Sequence, residues 1–175
     1  IVSMVILIGG CRPSDAEARA VRRPRVDASP RAYSATQARV ERDRRALARA
    51  LRAARTAAAR RAVLDRAGAR LVAAVADDLG RAWLGTPWAF HGVSETPGQG
   101  AIACGYLVTT LLRDAGLRVE RARLAQRPSE AILRSLVAPA SIRRYSDVPV
   151  DRFLADVRAG GDGLLGVGLD FHVGF

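Results

Sequence analysis

The chain has 175 residues, 49% of them hydrophobic, and a formal net charge of +11 that arginine carries alone, because lysine is absent. That length holds one domain of ordinary size plus appendages and excludes two separate cores. The charge suits a polyanion such as nucleic acid, anionic lipid or an acidic wall polymer, or simply a solvated helix face. With no zinc finger, RNA-binding aromatic motif or leucine-zipper heptad present, specific nucleic-acid reading is not expected.

Residues 1–11 begin with an apolar run, Ile1 to Ile8, and continue through Gly9 and Gly10 to Cys11. The pattern resembles the end of a bacterial lipoprotein signal: an aliphatic residue, two small residues, then the cysteine that becomes lipidated. The run is too short to span a bilayer, and with no positively charged region ahead of it the start is expected to be clipped. A lipid on Cys11 would tether the chain to the membrane of the bacterial cell envelope, on the periplasmic side, and leave the rest soluble. A buried strand or a truncated anchor is the alternative. Residues 12–34 read as a linker, with Pro13, Pro24 and Pro30 and no sustained apolar period.

Residues 35–80 form an Arg/Ala-rich helical segment. Its apolar stripe is thin at Val40, Leu47 and Leu51 and stronger at Leu64, Leu71, Val75 and Leu79, with a break expected at Gly68. Alanine buries little surface, so the core is expected mainly from residues 79–175. Within the fourth span, 81–175, the Gly- and Pro-rich stretch 81–100 is a loop carrying Trp83, Trp88 and Phe90. Ile102 to Ala115 reads as a helix ended by Gly116. Residues 117–124 suggest a short strand, Ser129 to Val137 a helix, and Pro149 onward another helix through Val157. Leu164–Gly168 and Phe171–Phe175 read as strands joined at Leu169-Asp170. Helices first and strands last predict an α+β domain.

The residues that carry chemistry are Cys104, opening an apolar helix, and His172, heading a strand. Thiolate rather than thiol attacks a carbonyl, so such a cysteine needs a positive field and a proton acceptor; a helix N-terminus and an imidazole supply them. The bland alternatives are a small buried cysteine and a turn histidine. Gln99 is a candidate oxyanion donor and His91 a candidate substrate contact. Asp170 is placed to orient the imidazole or simply to turn the chain. A zinc site from Cys104, His91 and His172 has no closely spaced ligand pair to support it, so no metal and no cofactor is expected.

Leu84-Gly85-Thr86-Pro87-Trp88-Ala89-Phe90-His91-Gly92 resembles the loop that precedes the nucleophile in NlpC-type cell-wall peptidases. Cys104-Gly105-Tyr106-Leu107-Val108 through Ala115-Gly116 is similar to that family's nucleophile helix, and Gly161-Asp162 with His172-Val173-Gly174 to its final strand motif. The chain departs from the pattern at Ala103, where the family has aspartate, at Gly105-Tyr106, at Trp88, which replaces tyrosine, and at His91, which replaces glycine. The resemblance implies a papain-like domain over 81–175, with Cys104 as nucleophile, His172 as base and acid, and Trp88 at the substrate. It implies hydrolysis of an amide in peptidoglycan stem peptides. It also places a third catalytic residue beyond the strand, past Phe175, so the domain is expected to be C-terminally incomplete. Gln99 resembles the glutamine that precedes the nucleophile in papain. Two rival readings remain: a non-catalytic wall-binding or scaffold lipoprotein, and a basic helical binder of anionic lipid or nucleic acid. Acyl transfer passes through the same thioester as hydrolysis.

Overall fold

The computed structural model describes residues 2–11, as backbone, and residues 27–175. Most of the expected linker lies outside the described residues. Its end does not: helix α1 spans Pro30–Ala53, starting ahead of the expected Ala35. Ser29 is the reason. Its Oγ accepts from the Ala32 N–H (3.3 Å), its own N–H donates to Asp27 Oδ1 (2.8 Å), and Pro30 brings the fixed φ of a first helical residue. The chain leaves the helix at Ala54 and re-enters where Thr56 Oγ1 accepts from the Ala59 N–H (3.1 Å), capping α2, Ala57–Ala73. The break expected at Gly68 is therefore displaced to Thr56, whose hydroxyl satisfies an N–H that a new helix would otherwise leave orphaned. Gly68 stays inside α2, with nothing within 4 Å of where a Cβ would stand, at an intrinsic cost of about 1 kcal/mol relative to alanine.

Helix α2 runs into a π turn, Ala74–Leu79, closed by the Gly80 N–H on the Val75 carbonyl, and then a 3-10 turn, Gly80–Trp83. These turns bury Val75, Leu79 and Trp83. Together with Tyr33 and Val40 of α1 they join one core with Ile102, Val108, Leu112, Ile132, Leu133, Leu164 and Val173. The spans 35–80 and 81–175 thus share a core, and α1 is part of the fold rather than an appendage.

A buried polar junction seals α1 to the rest. Trp83 Nε1–H donates to Tyr33 Oη (3.0 Å); Tyr33 O–H and Gln37 Nε2 each donate to Asp114 Oδ2 (2.8 Å). Arg113 Nε donates to the other carboxylate oxygen (2.9 Å), and the Asp114 side chain is only 4% exposed. Burial, then the negative charge of Asp114, push the Tyr33 phenol well above the ordinary tyrosine range.

The remaining helices are α3, Cys104–Asp114; α4, Arg121–Ala125; α5, Ser129–Arg134; and α6, Val150–Ala159. The strand expected over 117–124 is replaced by α4: Leu117 and Val119 lead into it and pack partly buried against the core. Four strands form one antiparallel sheet in the order β2-β1-β3-β4: β1, Val2–Cys11; β2, Ile142–Ser146; β3, Asp162–Gly168; and β4, Val173–Gly174. The segment resembling a lipoprotein signal is β1, paired on one side with β2 and on the other with β3. Helix α5 seats on β3 because Gly166 and Gly168 carry no side chain: Leu133 methyls stand 2.7 and 2.9 Å from where their Cβ atoms would be. The α+β class is as the sequence predicts. Among the described residues no helix is long and apolar enough to cross a membrane.

Candidate functional site

The loop ahead of α3 folds around the buried Ile102. Its N–H donates to the Pro87 carbonyl (2.9 Å), Ala103 N–H to Gly92 (2.9 Å) and Ser94 N–H to Ala101 (3.0 Å). Only glycine fits at 92, because a Cβ there would lie 2.5 Å from the Ile102 nitrogen. This wrapping delivers the chain to Cys104, the first residue of α3. Ala103 caps the helix with extended dihedrals (φ −83°, ψ 157°) and has no side-chain oxygen to accept from the first-turn N–H groups. The positive end of the α3 dipole therefore meets the cleft without a side-chain cap. Gly105 is demanded by close packing: the Ala125 carbonyl oxygen of α4 occupies the place a Cβ would take. A serine would not fit there.

Cys104 is free and half-buried. His172 is exposed and immediately precedes β4, which lies against α3. Its turn is closed by the Leu169 N–H on the His172 carbonyl (2.7 Å) and pinned by Ser129 Oγ–H on the Leu169 carbonyl (2.7 Å). The imidazole folds back over Gly174, with Nε2 3.9 Å from where a Cβ would be. Cys104 and His172 line the same cleft, of about 650 Å³. Its lining combines the apolar side chains of Trp88, Phe90, Val93 and Phe171 with the polar ones of Tyr106, Gln126, Arg127 and Ser129. Gln126 Nε2 donates to Tyr106 Oη (3.0 Å), and the Arg121 guanidinium lies 4.8 Å from the Tyr106 ring centroid. Arg121 is itself fixed by donating to Thr110 Oγ1 (2.7 Å) and to the Ser94 carbonyl (2.6 Å). Burial lowers its guanidinium from the ordinary value.

Of the residues singled out from sequence, Cys104, His172, Trp88, His91 and Asp170 all line this cleft. His91 is exposed and packs edge-on against Phe90, with ring centroids 4.9 Å apart. Gln99 is not in the cleft. It sits exposed in a turn between Gly98 (φ 69°) and Gly100 (φ 64°), its N–H donating to the Thr96 carbonyl (3.3 Å). These two left-handed residues carry it away from the thiol. Gln126, just past the short helix α4, is the glutamine that lines the cleft; nothing near it in sequence marks it. Asp170 shares the turn with His172, but among the described residues no side chain hydrogen-bonds to the imidazole. Cys11 ends β1, opposite Asp162. Among the described residues no group of three or more His, Cys, Asp or Glu side chains is arranged to hold a metal ion. No protein-family model, curated protein or solved structure matches this chain.

Proposed function

We propose that the cleft is the active site of a thiol-dependent hydrolase with papain-like organisation, and that Cys104 and His172 are its nucleophile and base. The observation that carries this reading is their convergence: a thiol on the first turn of a helix and an imidazole beside β4 line one cleft. His172 takes the thiol proton, and the thiolate forms a C–S bond to an amide carbonyl. The oxyanion meets the N–H groups of the α3 first turn. The C–N bond breaks as the imidazolium gives its proton to the leaving amine; water, deprotonated by His172, then cleaves the thioester and restores the thiol. The motif resemblance supports an amide of peptidoglycan stem peptides as the substrate.

The test is acylation by p-nitrophenyl acetate of the full chain carrying Cys11→Ser, which preserves β1. A burst of one p-nitrophenolate per chain is expected, absent in Cys104→Ala and slowed about a hundredfold in His172→Ala. A burst that survives Cys104→Ala contradicts the proposal. The imidazole without a hydrogen-bonded side chain favours one rival, a non-catalytic wall-binding scaffold, which gives no burst in any form of the chain.

An anchor at Cys11 is a separate proposal, supported by the resemblance of residues 1–11 to a signal end. Cleavage before Cys11 would remove β1 and leave β2 and β3 without their shared neighbour, so the mass of the mature N-terminus separates anchor from strand. Arg42, Arg45, Arg49 and Arg52 lie along the exposed side of α1, opposite Tyr33 and Val40 at helical spacing. They suit attraction to an anionic polymer or headgroup layer.

A further inference from the structure

Four large apolar side chains around the thiol and imidazole stand in solvent. Trp88 is 63% exposed, Phe90 74%, Val93 55% and Phe171 95%, and all four line the cleft that holds Cys104 and His172. They reach it from two separate stretches, the loop wrapped on Ile102 and the turn before β4. Phe171 and Phe90 each directly precede a cleft histidine. An exposed apolar patch of this kind on an otherwise charge-rich surface marks a place where something apolar binds.

The charges point the same way. The chain carries 28 basic residues, all arginine, yet Arg127 is the one arginine and Asp170 the one carboxylate among the cleft-lining residues. The rim is also built in advance. Gly98 N–H donates to Thr86 Oγ1 (2.8 Å) and Ser94 Oγ–H to the Thr96 carbonyl (2.9 Å), so the loop bearing Trp88, Phe90 and Val93 is tied down without a ligand. A preformed apolar wall binds with little ordering cost.

We infer that the substrate presents an apolar acyl group, aliphatic or aromatic, beside the scissile carbonyl, gripped by Trp88, Phe90, Val93 and Phe171. This rests on the thiol-hydrolase reading of the same cleft and names the class of acyl group that hydrolase takes, in place of the small or charged acyl groups of the stem peptides that the motif resemblance suggests.

The experiment measures second-order acylation of Cys104 by p-nitrophenyl acetate, butyrate and octanoate, each relative to free cysteine, in the full chain carrying Cys11→Ser. Each buried methylene adds at most about fourfold, so with partial burial the relative rate is expected to rise about tenfold or more from acetate to octanoate. Phe171→Ser and Phe90→Ser flatten that rise; both side chains are exposed, so folding is not at stake. Val150→Ser, at a 71% exposed position on α6 that does not line the cleft, keeps it. A flat or falling series in the parent protein overturns the inference, as does a full slope retained in both Phe171→Ser and Phe90→Ser. Failure of the hydrolase reading looks different: no ester then acylates Cys104 faster than free cysteine, and His172→Ala changes nothing.

Discussion

The α1–α3 junction and the cleft rim use aromatic residues in opposite ways. At the junction Tyr33 and Trp83 are buried, meet edge to face with centroids 6.0 Å apart, and have each polar atom bonded, Trp83 to Tyr33 and Tyr33 to Asp114. At the rim Trp88, Phe90 and Phe171 are exposed and pack against little. A satisfied buried network adds to stability and specifies one packing, whereas exposed rings contribute almost nothing to the folded state and gain energy only from a ligand. Stability and the proposed function are therefore placed in different regions, and substitutions should separate them.

The largest effect is expected from Asp114→Ala. It strands Tyr33, Gln37 and Arg113 without their shared acceptor, and urea denaturation should show a loss of about 3 kcal/mol. Gly105→Ala comes next: a methyl must displace the Ala125 backbone of α4, costing about 1–3 kcal/mol in the same measurement and shifting the first turn of α3 under Cys104. Tyr33→Phe keeps the ring and loses the hydroxyl, for about 1–2 kcal/mol at neutral pH.

The junction also predicts a pH dependence. The folded Tyr33 phenol titrates above the unfolded one, so the folded state holds a proton that the unfolded chain gives up near pH 10. Its contribution is intact below that pH and is lost as pH rises beyond it; Tyr33→Phe should flatten the alkaline fall in stability. The partly exposed Glu41 on α1 works with the opposite sign. Hydrogen bonds from Arg44 and Arg45 hold its carboxyl down to about 2, so its small contribution is present at neutral pH and fades as pH drops from the ordinary glutamate range toward that value. Glu41→Gln should make the acid limb slightly shallower. Smallest of all is Phe171→Ser, expected to change stability by no more than about 0.5 kcal/mol while flattening the ester series. A large destabilisation there would break the contrast between rim and junction.

The cleft was more legible than the scaffold that carries it. Cys104 and His172 stand out because local chemistry and helix or strand starts mark them, and Trp88 and His91 share their neighbourhood in sequence as in space. The α3 helix and the closing hairpin follow from apolar spacing and glycine stops. Pairing of β1 with β2 and β3 is invisible locally, since its partners are more than a hundred residues away in the chain. Tyr33 is a lone aromatic in a stretch that composition reads as linker, and its contact with Asp114 together with the burial of Val40 makes α1 part of the core. Gln99 is singled out by nearness in sequence to the thiol, which says nothing of the left-handed turns that carry it away.

The pairing of Cys104 with His172 is tested most directly by the rate of iodoacetamide alkylation at Cys104, read by mass spectrometry near pH 6, where an ordinary thiol is almost wholly protonated. The proposed dyad requires the full chain with Cys11→Ser to react about tenfold or more faster than the same chain with His172→Ala. Equal rates in the two proteins, or a thiol no faster than free cysteine, would contradict the dyad and leave the cleft without its chemistry.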